Sequence, residues 1–232
     1  KFTIHQKICG VEALIRWQHP TLGLLTPHMF IDGAEKTGLI VPMGYWALEE
    51  ACKQIQEWVH NSIPFYPIAV NLSAIQFENK KLFSTLESLI EKYNIQPNHL
   101  IIEITESTAM RHIDMSIRTF ERLRDLGIRI AIDDFGTGHS SFLYLKDLPV
   151  DELKIDRGFT SKAITDKNEY YLLNQFSNMI HNLGLKLCIE GIETEDELQK
   201  MKLLKPDYCQ GFYWGQPCLY DEFRKYFVDV KR

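Results

Sequence analysis

Short apolar runs alternate along this chain with stretches in which apolar residues recur every three or four positions. The runs Val11–Trp17, Pro67–Leu72, Leu100–Thr105, Ile128–Asp133, Glu152–Asp156, Leu185–Glu190 and Asp207–Phe212 read as strands. Several are apolar on both alternations, as strands covered on both faces should be. Between them, Leu82, Leu86, Leu89, Ile90 and Tyr93 fall at helical spacing, as do Ile117, Phe120 and Leu123, and then Phe176, Met179, Ile180 and Leu183. Strand and helix in turn predict βα units around a parallel sheet. Local signals agree. Thr26-Pro27 has the form of an N-cap before an N1 proline, Thr194 and Glu197 have capping-box spacing, and Gly127 and Gly184 stand where helices should stop.

Two segments echo each other. Leu126-Gly-Ile-Arg-Ile-Ala-Ile-Asp133 and Leu183-Gly-Leu-Lys-Leu-Cys-Ile-Glu190 agree in residue type at every position. Each is a helix end, a glycine stop, an apolar strand and a terminal acid. Leu100-Ile-Ile-Glu103 has the same ending. In a (β/α)8 barrel such strand ends carry the active site. The fold class expected is therefore α/β, a modified TIM barrel, with residues 1–232 as one domain. Seven strands are visible where a closed barrel has eight. The expectation is that a first strand and an N-terminal helix are missing before Lys1. An open doubly wound sheet is the alternative.

Composition narrows the partners. The chain has 232 residues, 45% of them hydrophobic, and a formal net charge of −5. That charge argues against duplex nucleic acid, which requires clustered Lys and Arg. It allows a small anionic ligand if metal ions invert the local field. Cys9, Cys52, Cys188, Cys209 and Cys218 show no CxxC spacing, so neither a thiolate zinc site nor a disulfide framework is expected. Free thiols with no signal peptide and no membrane-length apolar run point to the cytoplasm for this domain, whatever anchors a parent protein.

The polar residues at the strand ends are Glu12, Asn71, Glu103, Asp133, Asp134, Lys154, Glu190 and Gln210. A barrel aims such positions at one mouth. So many carboxylates together repel one another unless a cation neutralises them. Oxygen ligands without Cys or His favour magnesium, manganese or calcium. Adjacent side chains of a regular strand point to opposite faces, so Asp133 and Asp134 reach one site only if the chain turns there, for which Gly136 and Gly138 are available. Taken singly, several positions have plainer readings. Asp134 suits an Asx turn or helix cap, Glu12 a surface pair with Arg16, and Asn71 a turn. Lys154 suits a salt bridge to Asp156, and Glu106 a helix cap. Glu103 differs, because an acid inside Ile101-Ile-Glu-Ile104 needs a partner. Phe212, Tyr213 and Trp214 suit packing better than base stacking.

In order along the chain, Glu12-Ala-Leu-Ile-Arg16, Asn71-Leu-Ser73, Glu103-Ile-Thr-Glu106, Asp133-Asp-Phe-Gly-Thr-Gly138 with Ser140-Ser141, Leu153-Lys-Ile-Asp156, Glu190-Gly-Ile-Glu-Thr194 and Gln210-Gly211 resemble the motifs of the EAL domain family. The likeness runs over nearly the whole chain. It implies a bacterial cyclic di-GMP phosphodiesterase giving linear pGpG. It further implies two magnesium or manganese ions held by Glu12, Asn71, Glu103, Asp133, Asp134 and Glu190. A water between them would attack phosphorus in line, assisted by Lys154, with Glu190 and Gln210 completing the catalytic set. Leu14, Arg16 and Asp156 become candidates for substrate contact. Glu193 would hold the Asp134–Ser141 loop, and that loop would couple activity to a homodimer. A sensory or GGDEF-type domain is expected beside this one in the parent protein. The sequence departs from the family in lacking the Gln-Pro strand before Lys1 and in having His139 where tyrosine is usual. Two other functions stay open: a receptor that holds cyclic di-GMP without cleaving it, and a magnesium barrel enzyme using Lys154 as a base on a carbon acid.

Overall fold

The computed structural model describes residues 1–3, 5, 7–61, 66–137 and 142–224, with the side chains of 142 and 143 left aside. The part of the long loop at 138–141, including His139, lies outside the described residues. The strands are β1 (Phe2–Thr3), β2 (Val11–Ala13), β3 (Trp17–His19), β4 (Gly23–Leu25), β5 (Ile68–Asn71), β6 (Leu100–Thr105), β7 (Arg129–Phe135), β8 (Glu152–Ile155), β9 (Lys186–Ile189) and β10 (Tyr208–Cys209). Among the described residues one sheet has the order β1-β10-β9-β8-β7-β6-β5-β2, and β3 pairs with β4 apart from it. From β2 through β10 all neighbours in this sheet are parallel, while β1 runs antiparallel to β10.

All seven parallel strands expected from the sequence are present, and the sheet curls in the manner of a TIM barrel. The sequential order has no point of reversal, which rules out the doubly wound alternative. Two differences have local causes. An additional two-residue strand, β1, too short to show any periodicity, runs antiparallel to β10 and so does not stand for the parallel strand expected before Lys1. β1 turns back on the approach to β2, with Thr3 N–H donating to the Lys7 carbonyl at 2.8 Å and Cys9 N–H to that of Lys1 at 3.1 Å. The run Val11–Trp17, read as one strand, leaves the sheet after Ala13, the last residue paired with β5. Trp17 then starts a small hairpin and packs edge-on against Phe30 at 5.8 Å.

Outside one irregularity in β7, the strands alternate between two environments. Ile102, Ile104, Ile130, Ile132, Leu153, Ile155, Leu187 and Ile189 face outward and join the helices in one continuous core. Full burial of such side chains contributes about 1.5–3 kcal/mol each. Inside the barrel, Ala69, Ile101 and Ala131 form a separate small cluster. Above them the inner positions are polar, so the axis holds side chains that need partners.

Helix signals behaved as their chemistry dictates. Thr194 and Glu197 form a full capping box, as do Ser73 and Gln76 at the helix that follows Asn71. Gly127 and Gly184 have φ of 82° and 75°, the left-handed stop that glycine supplies without strain. Thr26 precedes a 3-10 turn, Pro27–Met29, without a side-chain cap bond.

Candidate metal centre

Glu12, Asn71, Glu103, Asp133, Lys154, Glu190 and Gln210 lie in or just after β2, β5, β6, β7, β8, β9 and β10, and they meet at one mouth of the barrel. Lys154 is the hub. Its Nζ lies 2.9 Å from Glu103 Oε2, 3.1 Å from Asp133 Oδ1, 2.9 Å from Glu190 Oε1 and 3.7 Å from Glu12 Oε2. Asn71 donates to Glu12 Oε1 and Gln210 to Glu12 Oε2, each at 2.7 Å. Oxygens of Glu12, Glu103 and Asp133 lie within 4.8 Å of one another.

The two adjacent aspartates reach this mouth through a β-bulge. Ile132 pairs with Leu153 and Phe135 with Ile155, so Asp133 and Asp134 together oppose the single residue Lys154. Both flanking residues, Ile132 and Phe135, keep their places in the outer core. Asp134 takes up the irregularity with φ of 55°, a region Asp tolerates better than most residues. Gly136 follows at φ of 96°, and a Cβ there would meet Phe159 Cδ1 at 2.7 Å. Glycine at 136 is therefore required twice over, by backbone and by space. Across the mouth, a Cβ at Gly211 would stand 2.0 Å from the Ile192 carbonyl oxygen. That close approach lets β10 end beside Glu190.

The electrostatics are unbalanced. Burial pushes Glu12, Asp133 and Asp134 upward, and neighbouring carboxylates push the same way. Glu190 rises to about 8, from burial against the opposing pull of Lys154, with Asp133 and Glu12 adding to the rise. Glu103 is the exception. Burial would raise it, but Lys154 and Lys1 hold its carboxyl down at about 2. Burial works against the Lys154 ammonium, yet the surrounding acids keep it firmly charged. The chain's own cations thus match only part of the acid. Gln210 Oε1 is also buried without a hydrogen-bond partner, an acceptor of the kind that water or an ion satisfies. Oxygen donors in excess of charge fit a hard divalent cation.

Other predicted residues sit further out. Leu14 is exposed beyond the end of β2, and Arg16 donates to the Ile15 carbonyl at 2.9 Å. Asp156 caps the helix Arg157–Thr165 through Gly158 N–H at 2.7 Å and adds to the negative field at Asp134. Glu193 pairs with Arg157 at 2.7 Å on the surface. The carboxylate that touches the described part of the long loop is Glu106. It is buried, and its Oε2 accepts from Gly136 N–H at 2.9 Å. The plainer reading of Glu106 as a cap misses this long-range bond. Two further inner residues escaped the sequence reading. Lys1 Nζ lies 3.0 Å from Glu103 Oε1 and 2.8 Å from Glu152 Oε1. Glu152 stands two residues before Lys154 on the same face of β8, and that alternation was the signal available for it.

A cavity of about 650 Å³ opens at the opposite mouth, between the starts of β7, β8, β9 and β10, with Glu152 on its wall. Among the described residues, no helix is long and apolar enough to cross a membrane.

A family model described as EAL domain matches residues 3–217. The chain is 46% identical over 208 residues to the bifunctional diguanylate cyclase/cyclic di-GMP phosphodiesterase MucR of Pseudomonas aeruginosa, covering 90% of this chain and 30% of that protein. It is 39% identical over 224 residues to the signaling protein YkoW of Bacillus subtilis, covering 97% of this chain and 28% of that one. The chain thus spans less than a third of these curated relatives. A solved structure titled as the PaMucR phosphodiesterase in complex with c-di-GMP superposes with a TM-score of 0.91 at 43% identity, covering 96% of this chain and 90% of that one.

Proposed function

This chain belongs to the EAL domain family, and on that premise we propose that it hydrolyses cyclic di-GMP to linear pGpG. The observation that carries the proposal is the mouth itself, where Glu12, Glu103, Asp133 and Glu190 crowd one lysine and leave acid unmatched. In this reading Glu12, Asn71, Glu103, Asp133, Asp134 and Glu190 hold two magnesium or manganese ions. Bound there, such ions supply Lewis acidity and an activated water.

The chain's own residues set the geometry. Lys154 offers its hydrogens to Glu103, Asp133 and Glu190 and so fixes three carboxylates relative to one another. Asn71 and Gln210 grip the two oxygens of Glu12 from opposite sides. Glu106 anchors the turn after Asp134 through Gly136. In the reaction the water oxygen bonds to phosphorus, one phosphoester P–O bond breaks, and the leaving sugar oxygen takes up a proton. In this reading Leu14, Arg16 and Asp156 contact the nucleotide. The proposal extends to a cytoplasmic location for this domain, to a homodimer coupled through the loop that begins at Asp134 and is steadied by Glu193, and to a sensory or GGDEF-type domain in the longer protein.

The test is direct. Incubated with cyclic di-GMP and Mg²⁺ or Mn²⁺, the protein should release pGpG, and Asp133→Asn should abolish release. If the wild type yields no pGpG and behaves like Asp133→Asn, the proposal falls. Tight binding of the cyclic dinucleotide without turnover would assign the chain a receptor role instead.

A further inference from the structure

Gly136 stands one residue beyond the end of β7, and two other elements constrain it. Glu106 Oε2 accepts its N–H at 2.9 Å. The ring edge of Phe159 lies against it as well, so close that a Cβ would stand 2.7 Å from Cδ1 and 3.3 Å from Cε1. Phe159 is the third residue of the helix Arg157–Thr165. It is half-buried, packs on the outer core and meets Phe176 edge-on, with ring centroids 5.8 Å apart. The helix has a fixed base, since Asp156 N–H donates to the Phe135 carbonyl at 3.3 Å and the Asp156 carboxylate caps Gly158 N–H. The ring is therefore carried on a firm support.

The backbone beside it is under strain. Asp134 has φ of 55° and Gly136 of 96°. A left-handed aspartate persists where its surroundings over-determine it. Local bonds do not supply that. Asp134 N–H donates to Asp133 Oδ1 at 2.9 Å and Thr137 Oγ1 to the Asp134 carbonyl at 2.8 Å, but such bonds travel with the turn. Glu106 fixes one atom of Gly136 and leaves a pivot. The ring of Phe159 takes away the room in which Gly136 would swing about it. Without that wall β7 could return to a regular pleat, on which adjacent side chains point to opposite faces, and Asp133 and Asp134 would part.

We propose that Phe159 is a positioning residue for the metal centre: its ring holds Gly136, and through Gly136 the bulge that brings both aspartates to one mouth. The inference rests on the metal-dependent reading of the site. Phe159 touches neither ion nor nucleotide and acts through Asp134. A loosened bulge releases Asp134 first, because Lys154 holds Asp133 at 3.1 Å.

The experiment compares wild type with Phe159→Leu, Phe159→Tyr and a control elsewhere in the outer core, Phe120→Leu. It uses Mn²⁺ titration by calorimetry, kcat and KM on cyclic di-GMP, and thermal unfolding of the metal-free protein. Phe159→Leu stays apolar but loses the flat edge. It should bind Mn²⁺ about tenfold or more weakly and lose about a hundredfold in kcat, with KM changed far less. Phe159→Tyr keeps the edge and should restore both, and a tyrosine variant no better than leucine would overturn the proposal. Phe120→Leu should lower the unfolding temperature and leave Mn²⁺ affinity as it was. If it weakens Mn²⁺ equally, the effect is general loosening and the proposal falls. A Phe159→Leu protein that is less stable yet equal to wild type in Mn²⁺ affinity and kcat makes Phe159 an ordinary core residue, which sinks this inference alone. Should Phe159→Leu not fold, Gly136→Ala decides, since its methyl pushes the turn off the ring: weakened Mn²⁺ binding supports the proposal, and unchanged binding overturns it. A wild type that neither binds Mn²⁺ nor hydrolyses the cyclic dinucleotide would bring down the functional reading and this inference with it.

Discussion

The two ends of the barrel strands use the same side chains to opposite effect. At the start of β9, Lys186 pairs with Asp207 Oδ1 at 2.7 Å, and Asp207 Oδ2 also accepts from Leu187 N–H at 3.0 Å and meets His181 at 3.2 Å. Beside it, Asp151 accepts from Ile130 N–H at 2.8 Å. Each acid there has its donors, and water reaches the lysine. At the other end, four carboxylates share Lys154 out of water. Matched charge at an exposed strand end ties β9 to β10 and serves the fold. Unmatched charge in a buried mouth is maintained against the interest of the fold, and that is the mark of a site. Residue type alone does not distinguish the two ends. The ratio of donors to acids, taken with burial, does.

The strongest way to break this contrast is to remove the hub. Lys154→Met should destabilise the metal-free protein by about 3–5 kcal/mol, the usual result of stranding a buried charge partner, and lower turnover by a factor on the order of a hundred or more. Urea unfolding and initial rates measure both. A loss under 1 kcal/mol would mean that the mouth is not under charge strain.

Adding the missing cation should act in the other direction. Mn²⁺ at about a hundred times its dissociation constant should stabilise wild type by about 2.7 kcal/mol, with the gain erased by a chelator. An Asp207→Asn variant should keep that gain in full, because its defect lies at the other end. If the variant loses the gain, the two ends are not independent.

The smallest effect belongs to the balanced end. Asp207→Asn should destabilise by about 1 kcal/mol, since the Lys186 partner is exposed and screened. The Asp207 carboxyl sits below its usual range: burial would raise it, but the Lys186 hydrogen bond and the Leu187 N–H outweigh burial. A depressed acid stabilises the fold above its unfolded value near 3.9 and loses that contribution as pH falls through its folded value. The gap between wild type and Asp207→Asn should therefore hold steady from about pH 6 to 8 and shrink below about pH 4. A gap that widens in acid would reverse the assignment.

Much of this was legible in the chain. The seven parallel strands announce themselves because their outer faces are apolar and glycine stops precede two of them. The acids at their ends stand out because nothing else in an apolar run needs a carboxylate. What escaped depends on contacts between distant residues. The bulge that brings Asp133 and Asp134 to one side is a property of how β7 meets β8, not of either strand. Glu106 looks like a helix cap until Gly136, thirty residues on, is seen to give it a hydrogen. Glu193 carries the right motif, yet its described partner is Arg157 on the surface.

The fit at Gly211 has a consequence of its own. A methyl group there would strike the Ile192 backbone, so any larger residue would push the end of β10 outward and slacken the hold of Gln210 on Glu12. One missing carbon thus sets how tightly the last strand is moored to the acid that β2 contributes.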